Sequence, residues 1–454
     1  MTHESAIETE SMQCDVLVIG AGMAGLTAAG FAAQHGASVI VVEKAKTYGG
    51  SALLSGGILW TATSPERMRL YGGGKPELGE VVLRNYARGL DWLRHRGVAI
   101  GPAVPVLHGR GYQIDILDHL RGCTHFVEQH GGHVALDTET TSLLTTESGA
   151  VTGARLATAG QRVDVRAKAV ILATGGYQNS AQLRARHIHQ NARADLLLRT
   201  NPISVGDGLR LAGLVGAEVN PTNGGFYGHL VAESPRWGEP RLFAALSQYH
   251  SEQSLLFNED GIRFCDESLG DHTNTNYVVT QRNARAICFW DARINTEFAT
   301  TAIVKGTEVI DKMQLALELG ARGVVTSDLE EIGRFAAAER FDGARLCSSI
   351  LHYNLHSRTG WETLDPRRSA HAGAVDKPPF YALVVRPAIT HTHGGIGVDR
   401  CARVLKRDAT PVPGLFAAGA DVDGIYGTGY AGGLAMALAF GLEAARSAGF
   451  GAGL

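Results

Sequence analysis

The segment 14–43 constrains this chain more than any other. Cys14-Asp-Val-Leu-Val-Ile-Gly20 is a mostly apolar run of strand length that ends in glycine, as a buried parallel strand does. Gly20-Ala-Gly22-Met23-Ala24-Gly25 follows, then an alanine-rich helix predicted over Leu26 to His35, then a second strand over Ser38 to Val42 that ends in Glu43. This is a βαβ unit with G-x-G-x-x-G at its first turn and an acid 18 positions beyond the last glycine. All the context that a dinucleotide fingerprint requires is present. Gly20 serves the tight turn, Gly22 the approach of a pyrophosphate to the backbone, and Gly25 the packing of helix on strand. Met23 and Ala24 complete the predicted binding turn, whose helix N-terminus offers N–H groups and a positive dipole end to phosphates. Glu43 is expected to accept hydrogen bonds from ribose hydroxyls. The rival reading, a structural glycine turn, leaves the acid and the strand–helix context unexplained.

The rest of the composition is consistent with an enzyme-sized globular protein. Glycine supplies 57 of 454 residues, nearly twice the roughly 7 % usual in globular chains, and falls in short clusters between apolar segments rather than in a repeat. Hydrophobic residues at 44 % and charged residues at 19 % allow a large core, and the length suggests two or three domains. A net charge of -3 argues against nucleic acid as a partner. Met1 to Gln13 is polar, without the basic start and apolar centre of a signal peptide. No apolar run reaches the ~18 residues of a membrane span, since Tyr430 to Leu442 stops at Glu443. A cytoplasmic protein is expected. The six cysteines form no C-x-x-C pair, so neither a metal site nor a disulfide framework is predicted, and they read as mostly buried thiols.

Directly after the acid comes Lys44-Ala-Lys-Thr-Tyr-Gly49-Gly50-Ser51-Ala-Leu-Leu-Ser55-Gly56-Gly57, a glycine-rich loop where a nicotinamide domain would begin its next helix. This loop resembles the FAD-binding signature of two-dinucleotide-binding-domain flavoproteins, which implies FAD rather than NAD, lined by Lys44, Gly49, Gly50, Ser51, Ser55, Gly56 and Gly57. Arg166 to Ala173-Thr174-Gly175-Gly176 is a buried strand pattern ending at a glycine pair. Pro413-Gly-Leu-Phe-Ala-Ala-Gly419-Ala420-Asp421 looks like the matching last strand, and Gly432-Gly433-Leu434-Ala435 opens an apolar helix predicted to Ala445.

Together with Gly206-Asp-Gly208, Asn258-Glu-Asp-Gly-Ile-Arg263-Phe264-Cys-Asp-Glu267 and His391-Thr-His393-Gly394-Gly395, these segments resemble the succinate dehydrogenase/fumarate reductase flavoprotein superfamily. The likeness is greatest to its soluble branch, with 3-ketosteroid dehydrogenases and tricarballylate dehydrogenase-like proteins. The resemblance implies an α/β architecture: a Rossmann-like FAD-binding domain at 14–225 and 376–454, interrupted by an α+β substrate-capping domain at 226–375. Helices are expected there over Leu315 to Gly320 and Leu329 to Glu339, with Asn354 closing a further segment.

Departures from the family pattern bear on function. Gly50 stands where covalently flavinylated members carry histidine, so non-covalent FAD is expected. Asp271, followed by His272, stands where fumarate reductases place a proton-donating arginine, and Tyr430 where they clamp a carboxylate with arginine. Tyrosine there resembles the ketosteroid branch and implies a donor to a substrate carbonyl, although Leu434 replaces the glycine that assists it. The expected function is FAD-dependent dehydrogenation of a C–C bond beside a carbonyl, or its reversal, on a small or cyclic, possibly steroid-like substrate. His272 or Asp271 would handle the proton, Tyr430 the carbonyl, and His391 and His393 would line the substrate face. Tyr227 and His229 are weaker candidates of the same kind. The alternatives are oxidation at C–N or C–O bonds, reduction of an unsaturated carboxylate, and FAD binding without catalysis. No second nucleotide motif, haem motif or iron–sulfur spacing occurs, so a separate electron acceptor or donor is implied. Gly72-Gly-Gly74 and Gly224-Gly225 read as loops near the substrate entrance.

Overall fold

A computed structural model describes residues 10–193, 196–220, 225–236, 239, 242–302, 308–427 and 429–451. The polar start up to residue 9 and Gly224 lie outside these. The chain divides into two compact units, one formed by 1–183, 200–225 and 391–454, the other by 184–199 and 226–390.

The first unit is built on an eight-stranded sheet. Its central order runs Arg403–Leu405, Pro411–Ala417, Gln161–Leu172, Glu10–Ile19, Val39–Val42, His133–Ala135, and the hairpin Thr138–Thr145/Val151–Thr158 adds to Gln161–Leu172. The strands from Pro411–Ala417 to His133–Ala135 pair in parallel, with Val18 opposite Val41 on one side and Ile171 on the other. Val16, Leu17 and Val18 are wholly buried because helices cover both faces of such a sheet. The first strand begins at Glu10, four residues before the apolar run, since its ladder continues to Val163 where the side chains are polar. The first helix spans Met23–Gln34, starting at the glycine motif itself. It meets the last helix, Gly433–Ser447, so closely that a Cβ on Gly441 would lie 2.6 Å from the Ala24 carbonyl oxygen.

The second unit holds a mixed sheet in which the long strand Phe380–Thr392 pairs with Ala286–Asp291, Gly323–Thr326 and Phe226–Ala232. Its core is formed by residues such as Phe257, Phe289, Trp290 and Val384, all inaccessible. This unit runs on to Thr390 because that strand belongs to its sheet. Helices occupy Lys312–Glu318 and Leu329–Ala338. Asn354 does not close a segment: it lies inside the helix Gly343–Thr359, where its amide bonds both backbone groups of Val375, at 2.9 and 2.7 Å.

Candidate active site

In the first unit two glycine loops are locked together. Gly49 N–H donates to the Ala21 carbonyl at 2.8 Å, and Gly22 and Gly49 form a bridge. A Cβ on Gly25 would stand 1.9 Å from the Gly20 carbonyl oxygen, so glycine is demanded there by helix packing. Gly22 is different. Its φ of -80° suits any residue, a Cβ there would meet nothing within 4 Å, and no side chain caps the helix it begins. Gly56 is equally open. An unfilled cradle at an uncapped helix N-terminus fits a pyrophosphate, with the amides of Met23 and Ala24 in the same turn.

Glu43 is buried, and its carboxylate accepts the amides of Ala21 (2.8 Å) and Ala45 (2.9 Å), which fixes the acid at the strand end. Lys44 is ion-paired with Asp207 at the start of the helix Asp207–Leu214. Gly50 has φ +53° and Gly57 φ +73°. Ser51 accepts the Asn201 amide, and Ser55 donates to Ala52 carbonyl oxygen at 2.6 Å, closing the loop on itself.

Asp421 is turned inward. Its oxygens accept the Thr174 amide, the Thr174 hydroxyl (3.0 Å) and the Gly176 amide (3.0 Å), so it ties the 173–176 loop to the Gly419–Asp421 turn. Burial pushes its carboxyl above the usual range. Ala173 continues the sheet through its amide to Ile19, whereas Gly175, at φ +95°, has only the Ser204 hydroxyl at 3.4 Å from a Cβ position. Ala420 is partly exposed, and Gly394 is buried beside the strand Gly395–Ile396.

Tyr430, His391 and His393 come together around the N-terminus of the last helix. The Tyr430 hydroxyl oxygen accepts the Gly433 amide at 2.6 Å, and the Tyr426 hydroxyl donates to the Gly432 carbonyl at 2.9 Å. Helix geometry leaves the amides of Leu434 and Ala435 without intrahelical acceptors. The Tyr430 ring meets Trp60 edge-on at 5.5 Å, lies 5.5 Å from His391 and is parallel to His393 at 6.4 Å. Both histidines are kept neutral by burial: His393 is pushed down to about 4, and His391 well below its ordinary value with His393 beside it as a lesser cause. His393 Nδ1 lies 2.8 Å from the Gly427 carbonyl, so Nδ1 carries the proton and Nε2 is a buried acceptor with no hydrogen-bond partner among the described residues.

The Gly72–Gly74 cluster supports this tyrosine loop. Gly427 N–H donates to Gly72, Tyr430 N–H donates to Tyr71, and a Cβ on Gly74 would lie 2.3 Å from the Ile425 oxygen. Gly225 abuts Gly427 and His393 in the same way. Trp60, Tyr426 and His108, the last stacked on Tyr71 at 4.1 Å, had no motif to mark them.

Asp271 and His272 belong to the second unit. Asp271 opens the helix Asp271–Thr280 and is buried, bonded to His229 Nδ1 and to the Leu230 amide at 3.1 Å. His229 Nε2 lies 3.0 Å from the Tyr227 hydroxyl. His272 is partly exposed, and its carbonyl accepts from the Asn276 side-chain amide at 2.8 Å. Glu267 is wholly buried and bonds Arg263 through both oxygens, at 2.9 and 2.6 Å.

The family model for the FAD binding domain matches residues 15–104 and 120–434. A probable fumarate reductase of Shewanella frigidimarina is 26 % identical, over 93 % of this chain and 72 % of its own length. The 4-oxocyclohexanecarboxylate 2-dehydrogenase of Sinomonas cyclohexanicum is also 26 % identical, over 94 % and 91 %. The solved structure of 3-ketosteroid-Δ4-(5α)-dehydrogenase from Rhodococcus jostii shares the fold with a TM-score of 0.72 at 21 % identity, covering 98 % of both chains. Among the described residues, no helix is long and apolar enough to cross a membrane.

Proposed function

The chain belongs to the FAD binding domain family and is an FAD-dependent oxidoreductase of carbon–carbon bonds, and on that premise we propose that it dehydrogenates a saturated bond next to a ketone carbonyl, or reverses that step. The observation that carries this reading is the Tyr430–Gly433 pair. A phenol oxygen that accepts a helix N-terminal amide has its O–H polarised, which makes it a stronger donor to a carbonyl oxygen as that oxygen gains enolate charge. Such a neutral donor suits a ketone better than the carboxylate of fumarate, for which an arginine is the natural partner. Neutral His391 and His393 fit the same apolar, uncharged surroundings.

FAD would be held by the Gly20–Gly25 turn, Glu43 and the 49–57 loop, and when bound it supplies the two-electron acceptor or donor. Gly50 in place of a histidine supports non-covalent attachment, and acid precipitation is expected to leave all flavin in the supernatant. Electrons are exchanged with a separate small molecule or protein. The reading is tested by anaerobic titration of the yellow holoenzyme with cyclic ketones, steroids and carboxylates: ketones should bleach the flavin, and bleaching by none of them removes the proposal.

A further inference from the structure

The helix Pro76–His95 and the last helix, Gly433–Ser447, pack so closely that a Cβ on Gly89 would lie 2.5 Å from Leu438 Cδ2. Both helices contribute to an open cavity of about 450 Å³, lined by Arg84, Arg88, Arg400, Cys401, Glu443 and Arg446. All six residues belong to the first unit.

Glu443 organises two of the arginines. Its wholly buried carboxylate accepts Asn85 Nδ2 at 2.7 Å, the Ser447 hydroxyl at 3.2 Å and Arg84 at 3.4 Å, and it is also ion-paired with Arg446. One acid is thus shared among four donors, so it holds Arg84 and Arg446 at the cavity wall without using up their N–H groups. Arg446 Nε is a buried donor with no acceptor among the described residues. Arg88 stands one turn beyond Arg84 and forms no ion pair among the described residues. Like charges at that spacing oppose the helix that carries them. Arg400 sits on a turn fixed by Asp399, whose carboxylate accepts the amides of Cys401 at 2.9 Å and Arg403 at 3.0 Å. Its guanidinium pairs with Glu80 at 2.5 Å, but both side chains are exposed, and such a pair is readily exchanged for another anion.

Four guanidinium groups therefore face two carboxylates, those of Glu443 and Glu80, and two positive charges are left unbalanced. The flavin turns take no part in the lining, and Arg446 stands in the last turn of the helix that Gly433 opens, about 20 Å away by helix rise.

We propose that this cavity is a second ligand site that binds a phosphate dianion, separate from the flavin turns and from the Tyr430 loop. Guanidinium groups present flat forks of N–H donors that match phosphate oxygens in pairs. A phosphate monoester carries close to two negative charges near neutral pH, the charge that the cavity leaves unbalanced, whereas a single carboxylate supplies half of it. The volume falls within the roughly 300–1,000 Å³ of small-molecule sites, which leaves room for an organic group on the phosphate. An acidic protein would instead need a face on the order of 800 Å². The site is independent of the ketone reading.

The test uses holoenzyme saturated with FAD, so that the dinucleotide turn is filled, and isothermal titration calorimetry with inorganic phosphate, AMP and adenosine. Phosphate and AMP should each bind at one site per chain, adenosine should not bind, and added NaCl should weaken both. Equal affinity for phosphate and AMP assigns the site to free phosphate, and tighter binding of AMP assigns it to an organic phosphate. Arg88→Gln and Arg400→Gln, on separate elements and both exposed, should each weaken binding about tenfold, the loss of one charge-assisted contact. Flavin content and melting temperature should stay at the wild-type values. Absence of heat from both phosphate and AMP at about 10 mM, equal binding of adenosine, or wild-type affinity in either folded variant overturns the proposal. Binding of tetraglutamate but of neither phosphate overturns it as well, in favour of an acidic protein partner.

Discussion

Tyr426 and Tyr430 grip opposite edges of one peptide unit. The Tyr426 hydroxyl donates to the Gly432 carbonyl, and the Tyr430 hydroxyl oxygen accepts the N–H of Gly433, the other half of the same amide plane. The start of the last helix is thereby fixed by two side chains four residues apart. One of them is the proposed carbonyl donor, so the geometry of the donor and that of the helix are set together.

Tyr430→Phe should lower the turnover of a bleaching ketone by about 10²–10³-fold, the usual loss for one oxyanion donor. The folded protein should lose only about 1 kcal/mol, because the Gly433 amide at a helix end is left without its acceptor. Steady-state kinetics and thermal unfolding of the flavin-loaded protein measure the two effects separately. An equal loss in KM alone would assign Tyr430 to ground-state binding.

Gly22→Val and Gly25→Ala should fail differently. A side chain at Gly22 enters open space, so the variant should fold with the melting temperature of the flavin-free wild type and purify colourless. A Cβ at Gly25 meets the Gly20 oxygen at 1.9 Å, so that variant should not accumulate as folded protein. Flavin absorbance together with the melting temperature of the apoprotein decides the pair. A yellow Gly22→Val protein would move the pyrophosphate away from this turn.

His393 ties stability to acid pH. Its ionisation is depressed from 6.5 to about 4 in the folded state, chiefly by burial. The unfolded chain therefore takes up a proton first as pH falls, and stability is present above 6.5 and lost progressively down to about 4. The loss is on the order of 1–3 kcal/mol for such a group. His393→Gln should flatten this part of the stability curve measured by urea unfolding between pH 7 and pH 4. An unchanged slope would mean that His393 titrates alike in both states.

Glu267→Gln should destabilise the protein by about 3–5 kcal/mol, because it leaves the buried Arg263 guanidinium without its charge partner. Arg368 lies on the same carboxylate at 3.9 Å and would lose it too. The drop in urea midpoint should be the same with or without bound flavin. A midpoint within experimental error of wild type would show that a neutral amide satisfies the pair.

The residues alone determined a dinucleotide-binding unit, and their resemblance to known flavoproteins pointed to FAD. The strand–glycine turn–strand–acid spacing is local, and a βαβ unit closes only one way, so Gly20, Gly22, Gly25 and Glu43 were legible from the chain. The resemblance to known flavoproteins also marked Arg263, Glu267, Tyr430, His391 and His393. What each of them does depended on partners far away in sequence. Glu267 turned out to neutralise Arg263, Asp421 to bind the 174–176 loop, and Lys44 to pair with Asp207. Tyr426 and Trp60 reached the tyrosine site through packing that no periodicity encodes. The hydrogen bond from His229 to Asp271 joins positions 42 residues apart. Direction, tautomer and burial of such groups arise only when the strand Phe226–Ala232 and the helix Asp271–Thr280 are packed together, because hydrogen bonding and desolvation are set by distance in space and not along the chain.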